Sequence, residues 1–304
     1  MKKISVDNLA KIESILFGKK FPIKLEKETL KLTYLLQGKT SEVYKVELAQ
    51  NRTTYAIKVF NPEQWQVREI DIYKKFLICS PLNIPKLIFS NKSEGILVLS
   101  WIESSSRNVD FNQLSNWLTI KYLFFKNNLD GNSINIHKNI SWMILDPISK
   151  ISKLSEYSNI KIIHNIIKNK ELICDKLLDT YMLKLPIVLD HADLEIPNIL
   201  STQDHIYIID WANAIKSLGF IDFAQFKKLL RENNKIGLYK LYEKKFSKLL
   251  NLNIKEFTCI ISLFAIIREV QLLSYYASNN IKVKDSRVTS SILILQEESR
   301  FLLI

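Results

Sequence analysis

Glycine is scarce in this sequence, with six residues in 304. It forms neither a GxGxxG run nor a Walker-type GxxxxGK loop, so the nucleotide sites built on those loops are excluded. Cysteine is rarer still. Cys79, Cys174 and Cys259 are odd in number, far apart and without a CxxC pair. They are expected as buried thiols in a reducing compartment, not as a disulfide framework. Long apolar runs are missing too. The stretch from Cys259 to Ile267 is about half of the ~20 residues that a membrane span needs, and it reads as a buried helix. The first residues, MKKISVDNLAKIESILFGKK, carry lysines but no continuous apolar core, so a signal peptide is not expected. Leu9, Ile12, Ile15 and Leu16 instead recur at helical spacing. No repeat, low-complexity linker or lipidation signal stands out. The expectation is a soluble, cytoplasmic protein with no membrane partner.

What is present is ordinary for a globular chain: 47% hydrophobic and 24% charged residues, in a length sufficient for two lobes. The formal net charge is +12, of which +7 falls in residues 1–100 and +5 in 101–304. A basic balance suits an anionic partner. These lysines are scattered rather than clustered, so the charge reads as background composition and no nucleic-acid partner is expected.

The character of the chain changes near residue 100. Before it, LTYLLQG, SEVYKVEL and TTYAIKVF are short strand-like runs that form an antiparallel meander, with Gln50-Asn51-Arg52 as a turn. Helical spacing follows between Pro62 and Phe76, then two further strands, KLIFS and GILVLSW. After residue 110 the spacing predicts helices over about 111–127, 139–156, 159–182, 220–233, 237–250, 253–278 and 285–303. The exception is Pro186 to Trp211, where PIVLDH, NILST and IYIIDW read as strands.

That island holds the chemistry. His191-Ala192-Asp193-Leu194-Glu195-Ile196-Pro197-Asn198 precedes Ile208-Ile209-Asp210-Trp211, giving an Asp, an Asn five residues on and an Asp twelve further on. An isolated Asp in a loop is usually a turn or cap residue. The set of three at this spacing matches what phosphoryl transfer requires. One carboxylate takes the proton of an acceptor hydroxyl, while an amide oxygen and a second carboxylate hold magnesium.

HxDxxxxN followed by a strand ending in IDW resembles the catalytic signature of the aminoglycoside phosphotransferases and their relatives, among them the choline kinases and, more distantly, protein kinases. The resemblance covers roughly residues 30–230. It implies an α+β, bilobal protein-kinase-like fold, with a small antiparallel-sheet N-lobe over 1–102 and a larger, mostly helical C-lobe over 103–304. It makes Asp193 the catalytic base, Asn198 and Asp210 the Mg²⁺ ligands, and His191 a brace for the loop. Lys58, late in the strand Tyr55-Ala56-Ile57-Lys58-Val59, becomes the ATP phosphate ligand, paired with Glu69 on the following helix. Thr40 and Ser41 fall in a small polar turn, LQGKTSEVYKV, that resembles the family's glycine-poor phosphate loops. Leu99 is implied as the gate of the adenine pocket, with the Ser100 C=O and Ile102 N–H as adenine partners and Val43, Ala56, Leu200 and Ile209 around the base. Gly219-Phe220-Ile221-Asp222 resembles the stretch that opens the next helix, with Asp222 bracing the catalytic loop.

Three positions depart from the family pattern: Ala192 for the usual Gly, Pro197 before Asn198, and Ala212 where an acidic residue often stands. The resemblance implies a cytoplasmic, Mg·ATP-dependent O-phosphotransferase whose partner is a small-molecule hydroxyl acceptor, an antibiotic or a metabolite, in a monomer or weak homodimer. A net +5 in the second lobe disfavours polycationic aminoglycosides. The alternative is a pseudokinase-like nucleotide-binding protein. A protein kinase is disfavoured, because the chain has no GxGxxG loop, DFG triplet or APE segment.

Overall fold

The computed structural model describes residues 6–18, 30–37, 41–48, 52–60, 68–104, 108–129, 138, 140–183 and 185–302. The chain divides into two compact units, Met1–Leu114 with Ile196–Ala214, and Ser115–Glu195 with Ile215–Ile304.

The first unit is built on a five-stranded sheet of order β1-β2-β3-β5-β4, antiparallel throughout. Its strands are β1 (Leu30–Gln37), β2 (Ser41–Leu48), β3 (Thr53–Phe60), β4 (Leu87–Asn91) and β5 (Ile96–Ser100). The two-residue period of a strand sorts their side chains. Tyr44, Val46, Tyr55, Ile57, Val59, Ile96 and Val98 share one face and bury against Ile12, Ile15 and Leu16 of helix α1 (Val6–Leu16). Ile12 and Leu16 have no exposed surface, and each contributes about 1.5–3 kcal/mol by burial. The other face is left to Val43, Ala56, Lys58 and Leu99, held opposite one another by the registers Val43↔Lys58 and Ala56↔Leu99.

Helix α2 (Arg68–Ile72) continues as a π-turn (Tyr73–Leu77) between β3 and β4. The hairpin β7 (Ile199–Ser201)–β8 (Ile206–Ile208) also belongs to this unit. It is tied down where the Ile208 N–H donates to the Asn83 C=O at 3.2 Å and Ser104 Oγ to the Ser201 C=O at 3.1 Å.

The second unit is helical. It comprises most of α3 (Phe111–Asn128), a π-turn (Ser141–Leu145) leading into α4 (Asp146–Ser152), then α5 (Ser155–Ser158), α6 (Lys161–Lys168), α7 (Lys170–Met182), α8 (Phe220–Glu232), α9 (Tyr239–Leu250), α10 (Ile254–Ser278) and α11 (Ser286–Leu302). Its one described ribbon pairs β6 (Val188–Asp190) with β9 (Ile215–Ser217). The core is aromatic, with Phe223 against Phe246 and Phe220 against Phe264. α10 starts on a capping box in which Asn253 Oδ1 accepts from the Glu256 N–H and Glu256 Oε2 from the Asn253 N–H. By length and composition α10 could cross a membrane, but 72% of its most apolar window is buried within the protein.

Several expectations are corrected. The helix over 159–182 is two helices, because Asn169 leaves helical geometry and its Nδ2 donates to the Asn165 C=O at 2.8 Å. The helix over 139–156 is likewise divided into the π-turn, α4 and α5. β9 was not expected: three residues are too few to show a period. Cys79 and Cys259 are exposed and Cys174 is half-buried. Cys79 follows the π-turn beside the 62% exposed Ile78, and Cys259 lies on the outward side of α10, which an all-apolar run does not reveal.

Candidate active site

In the first unit the sheet face left free of α1 forms one wall of a cavity of about 320 Å³, a size that suits a small-molecule ligand. Val43, Ala56, Leu99, Leu200 and Ile209 supply its apolar surface, and Ser100 and Ile102 line it where the chain leaves β5. The last ladder bond there runs from the Trp101 N–H to the Thr54 C=O at 3.2 Å, so Ile102 lies beyond the strand. The polar wall is Lys58, Glu69, Asn198 and Asp210. Lys58 Nζ donates to Glu69 Oε2 at 2.6 Å and to Asp210 Oδ1 at 2.7 Å. Glu69, 1% exposed, is fixed on its other oxygen by the Trp211 N–H at 3.2 Å.

Burial alone would lower the Lys58 ammonium. The Glu69 and Asp210 carboxylates outweigh it and hold the group above the ordinary lysine value, so it stays charged. Burial pushes Glu69 above the usual carboxylate range, against the pull of Lys58. Asp210 itself is left-handed, φ 62° and ψ 64°, a conformation that Asp tolerates better than most residues. Its side chain is 44% exposed toward the cavity.

The second unit holds Asp193 in a loop whose backbone donors are all engaged. The His191 and Ala192 N–H groups donate to Asp222 Oδ2 and Oδ1 at 2.8 and 2.9 Å. The Asp193 N–H donates to Nδ1 of the fully buried His191 at 3.3 Å, and the Leu194 N–H to Gln225 Oε1 at 2.9 Å. Asp222 and Gln225 stand one turn apart on α8 and so face the loop together. Gly219, at φ 89°, turns the chain into that helix where an added Cβ would meet Val188 Cγ2 at 3.0 Å. Ala192 has φ 60°, so the place of the family's glycine is a left-handed one.

Beneath the loop, Lys121 of α3 is buried between Asp190 and Asp222, 2.7 Å from Asp190 Oδ1 and hydrogen-bonded to Asp222 Oδ2. Asp190 also accepts from Ser217 Oγ. Burial would lower Lys121, but the two carboxylates raise it above the ordinary value. Burial raises Asp190 to about 6, while Asp222, despite its burial, is held low by Lys121. Arg268 of α10 donates from Nη2 to Asp193 Oδ1 at 3.1 Å.

The structure thus gathers Lys58, Glu69, Val43, Ala56, Leu99, Ser100, Ile102, Leu200, Ile209, Asn198 and Asp210 at one cavity, and His191, Asp193 and Asp222 around one loop. Ser41, at the start of β2 opposite Phe60, is buried and does not line the cavity. Thr40 lies outside the described residues. Sequence reasoning missed Leu35, Pro85 and Trp101 on the cavity wall, and Lys121, Asp190, Gln225 and Arg268 around the loop. The only signal for Lys121 was a charged residue at an apolar position of a helix face. Arg268 lies in a region without a motif. Among the described residues no cluster of three or more His, Cys, Asp or Glu could hold a metal ion.

No family model matches the chain, and no curated protein matches it. Solved structures do. The aminoglycoside phosphotransferase APH(4)-Ia superposes with a TM-score of 0.61 at 13% identity, covering 97% of this chain and 98% of that one. A choline kinase from Cryptosporidium parvum Iowa II gives 0.60 at 14% identity, covering 97% and 94%. The spectinomycin phosphotransferase APH(9)-Ia, solved with ADP and spectinomycin, gives 0.54 at 15%, covering 99% and 98%. The chain has the protein-kinase-like fold that the aminoglycoside phosphotransferases and choline kinases share. At these identities the likeness is one of fold.

Proposed function

We propose that this protein is an ATP-dependent phosphotransferase that moves the γ-phosphoryl group to a hydroxyl of a small molecule. The observation that carries the reading is Lys58, kept charged by Glu69 and Asp210 at the wall of a cavity that Asn198 also lines. A cation so held suits the α- and β-phosphates, and the apolar remainder of the cavity suits a base. The amide of Asn198 and the carboxylate of Asp210 are hard oxygen donors, the kind that magnesium takes alongside phosphate oxygens and water, which explains why no all-protein metal cage is needed. Bound there, the ion would neutralise charge on the transferring phosphoryl group.

In the reaction the acceptor oxygen attacks the γ-phosphorus. The new O–P bond forms as the bond from that phosphorus to the β,γ-bridging oxygen breaks, and ADP leaves. The acceptor's proton passes to the Asp193 carboxylate, which the loop hydrogen bonds hold. A cytoplasmic location and a monomeric or weakly dimeric state accompany this reading.

The test is incubation of the purified protein with radiolabelled Mg·ATP and a panel of antibiotics and metabolites. Asp193→Ala should keep nucleotide binding and lose about 10²–10⁴-fold in transfer, as general-base removal does. Lys58→Ala should weaken ATP use with the fold intact. Wild-type turnover in Asp193→Ala would remove the assigned base. A wild-type protein that binds nucleotide and transfers to no acceptor or water would favour the pseudokinase-like alternative.

A further inference from the structure

While the loop's backbone is gripped by α8, the side chain of Asp193 is gripped by α10. The Arg268 guanidinium donates to Asp193 Oδ1 at 3.1 Å, with the two side chains 20% and 25% exposed. The surrounding charges leave Arg268 to that task. Glu195, Glu232 and Glu269 converge on Lys228, at 4.0, 3.7 and 3.9 Å from its Nζ. A planar guanidinium fixes direction as well as charge, which an ammonium does not.

We infer that Arg268 is a positioning residue for phosphoryl transfer, holding the Asp193 carboxylate in the orientation that receives the acceptor hydroxyl. The inference rests on the reading of Asp193 as the base. An Asp side chain without such a hold distributes over several rotamers, and only part of that population faces the hydroxyl. The loss therefore falls on kcat. ATP affinity is untouched, because Lys58, Glu69, Asn198 and Asp210 belong to the other unit.

The experiment uses the full-length protein and Mg·ATP with water as acceptor, reading ADP release for wild type, D193N, R268Q and R268K, with ADP binding by calorimetry and melting temperature as controls. R268Q should lower kcat about ten- to a hundredfold, the range for losing a charge-assisted hydrogen bond. Its KM for ATP should stay within about twofold. R268K should fall between R268Q and wild type, since it keeps the charge and loses the planar fork. If R268Q matches wild type in kcat while D193N is inactive, the inference is overturned and the role of Asp193 stands. If wild type is no faster than D193N, the reading of Asp193 fails and the inference with it. Were R268Q not to fold, an R268K equal to wild type in kcat would overturn the inference by itself.

Discussion

Replacing Lys121 with methionine should destabilise the second unit by about 3–5 kcal/mol at neutral pH, the usual cost of withdrawing one partner from a buried ion pair. The size follows from the site. Lys121 is 1% exposed, and Asp190 and Asp222 are fully buried. Methionine fills much of the same volume, so little of the cost comes from a cavity. What remains is two carboxylates facing one another without their cation.

The same geometry sets the pH dependence. In the wild type, burial raises Asp190 to about 6, above its ordinary value. The folded state then binds that proton more tightly than the unfolded chain, so the stability it contributes is full at low pH and lost as pH rises through about 6. Asp222, held low by Lys121 against its burial, works in the opposite sense and loses its contribution as pH falls. Without the cation both carboxylates favour protonation, so the penalty of K121M should shrink from about pH 7.5 to about pH 5. Denaturant unfolding at both pH values, with hydrogen exchange at the His191 and Ala192 amides as a local probe, measures this in a chain of two units. A penalty below about 1 kcal/mol at neutral pH, or one that grows on acidification, would refute the reasoning.

Two further outcomes are expected. Ala192→Gly should raise the melting temperature, gaining up to about 1 kcal/mol as the left-handed strain at φ 60° is relieved; thermal unfolding checks it, and a lower melting temperature would count against strain there. Glu69→Gln keeps the shape and removes the charge that faces Lys58 at 2.6 Å, so the Kd for ADP should rise about tenfold; calorimetry reads this, and an unchanged Kd would dissociate the pair from nucleotide binding.

The strand pattern of residues 30–100 was legible because each strand buries one face: Tyr44, Val46, Tyr55 and Ile57 alternate with residues of the cavity side. Ala56 and Lys58 share the opposite face, but a lysine late in a strand also reads as solvent-facing, so their place at the cavity was legible only through resemblance. The long helices followed from their apolar stripes. What the sequence hid was of two kinds. Breaks within helices, at Asn169 and at the π-turn before α4, depend on local bonds that a periodic pattern averages away. Tertiary partners such as Lys121 and Arg268 come from helices far along the chain, and nothing local to them names the carboxylate that the fold brings to each. Asp222 was legible as a brace only through resemblance, since an Asp in the first turn of a helix also reads as an ordinary terminus residue.

The interleaving of the two units bears on synthesis. A ribosome releases β1 to β5 long before Ile196–Ala214, yet that later segment supplies Asn198 and Asp210 of the cavity wall and the Trp211 N–H that holds Glu69. A nascent chain or truncated fragment ending at Leu114 would carry Lys58 and Glu69 without the carboxylate of Asp210. The cavity is therefore completed late in the making of this polypeptide, and a gene cut after Leu114 should yield a sheet without its Asn198 and Asp210 wall.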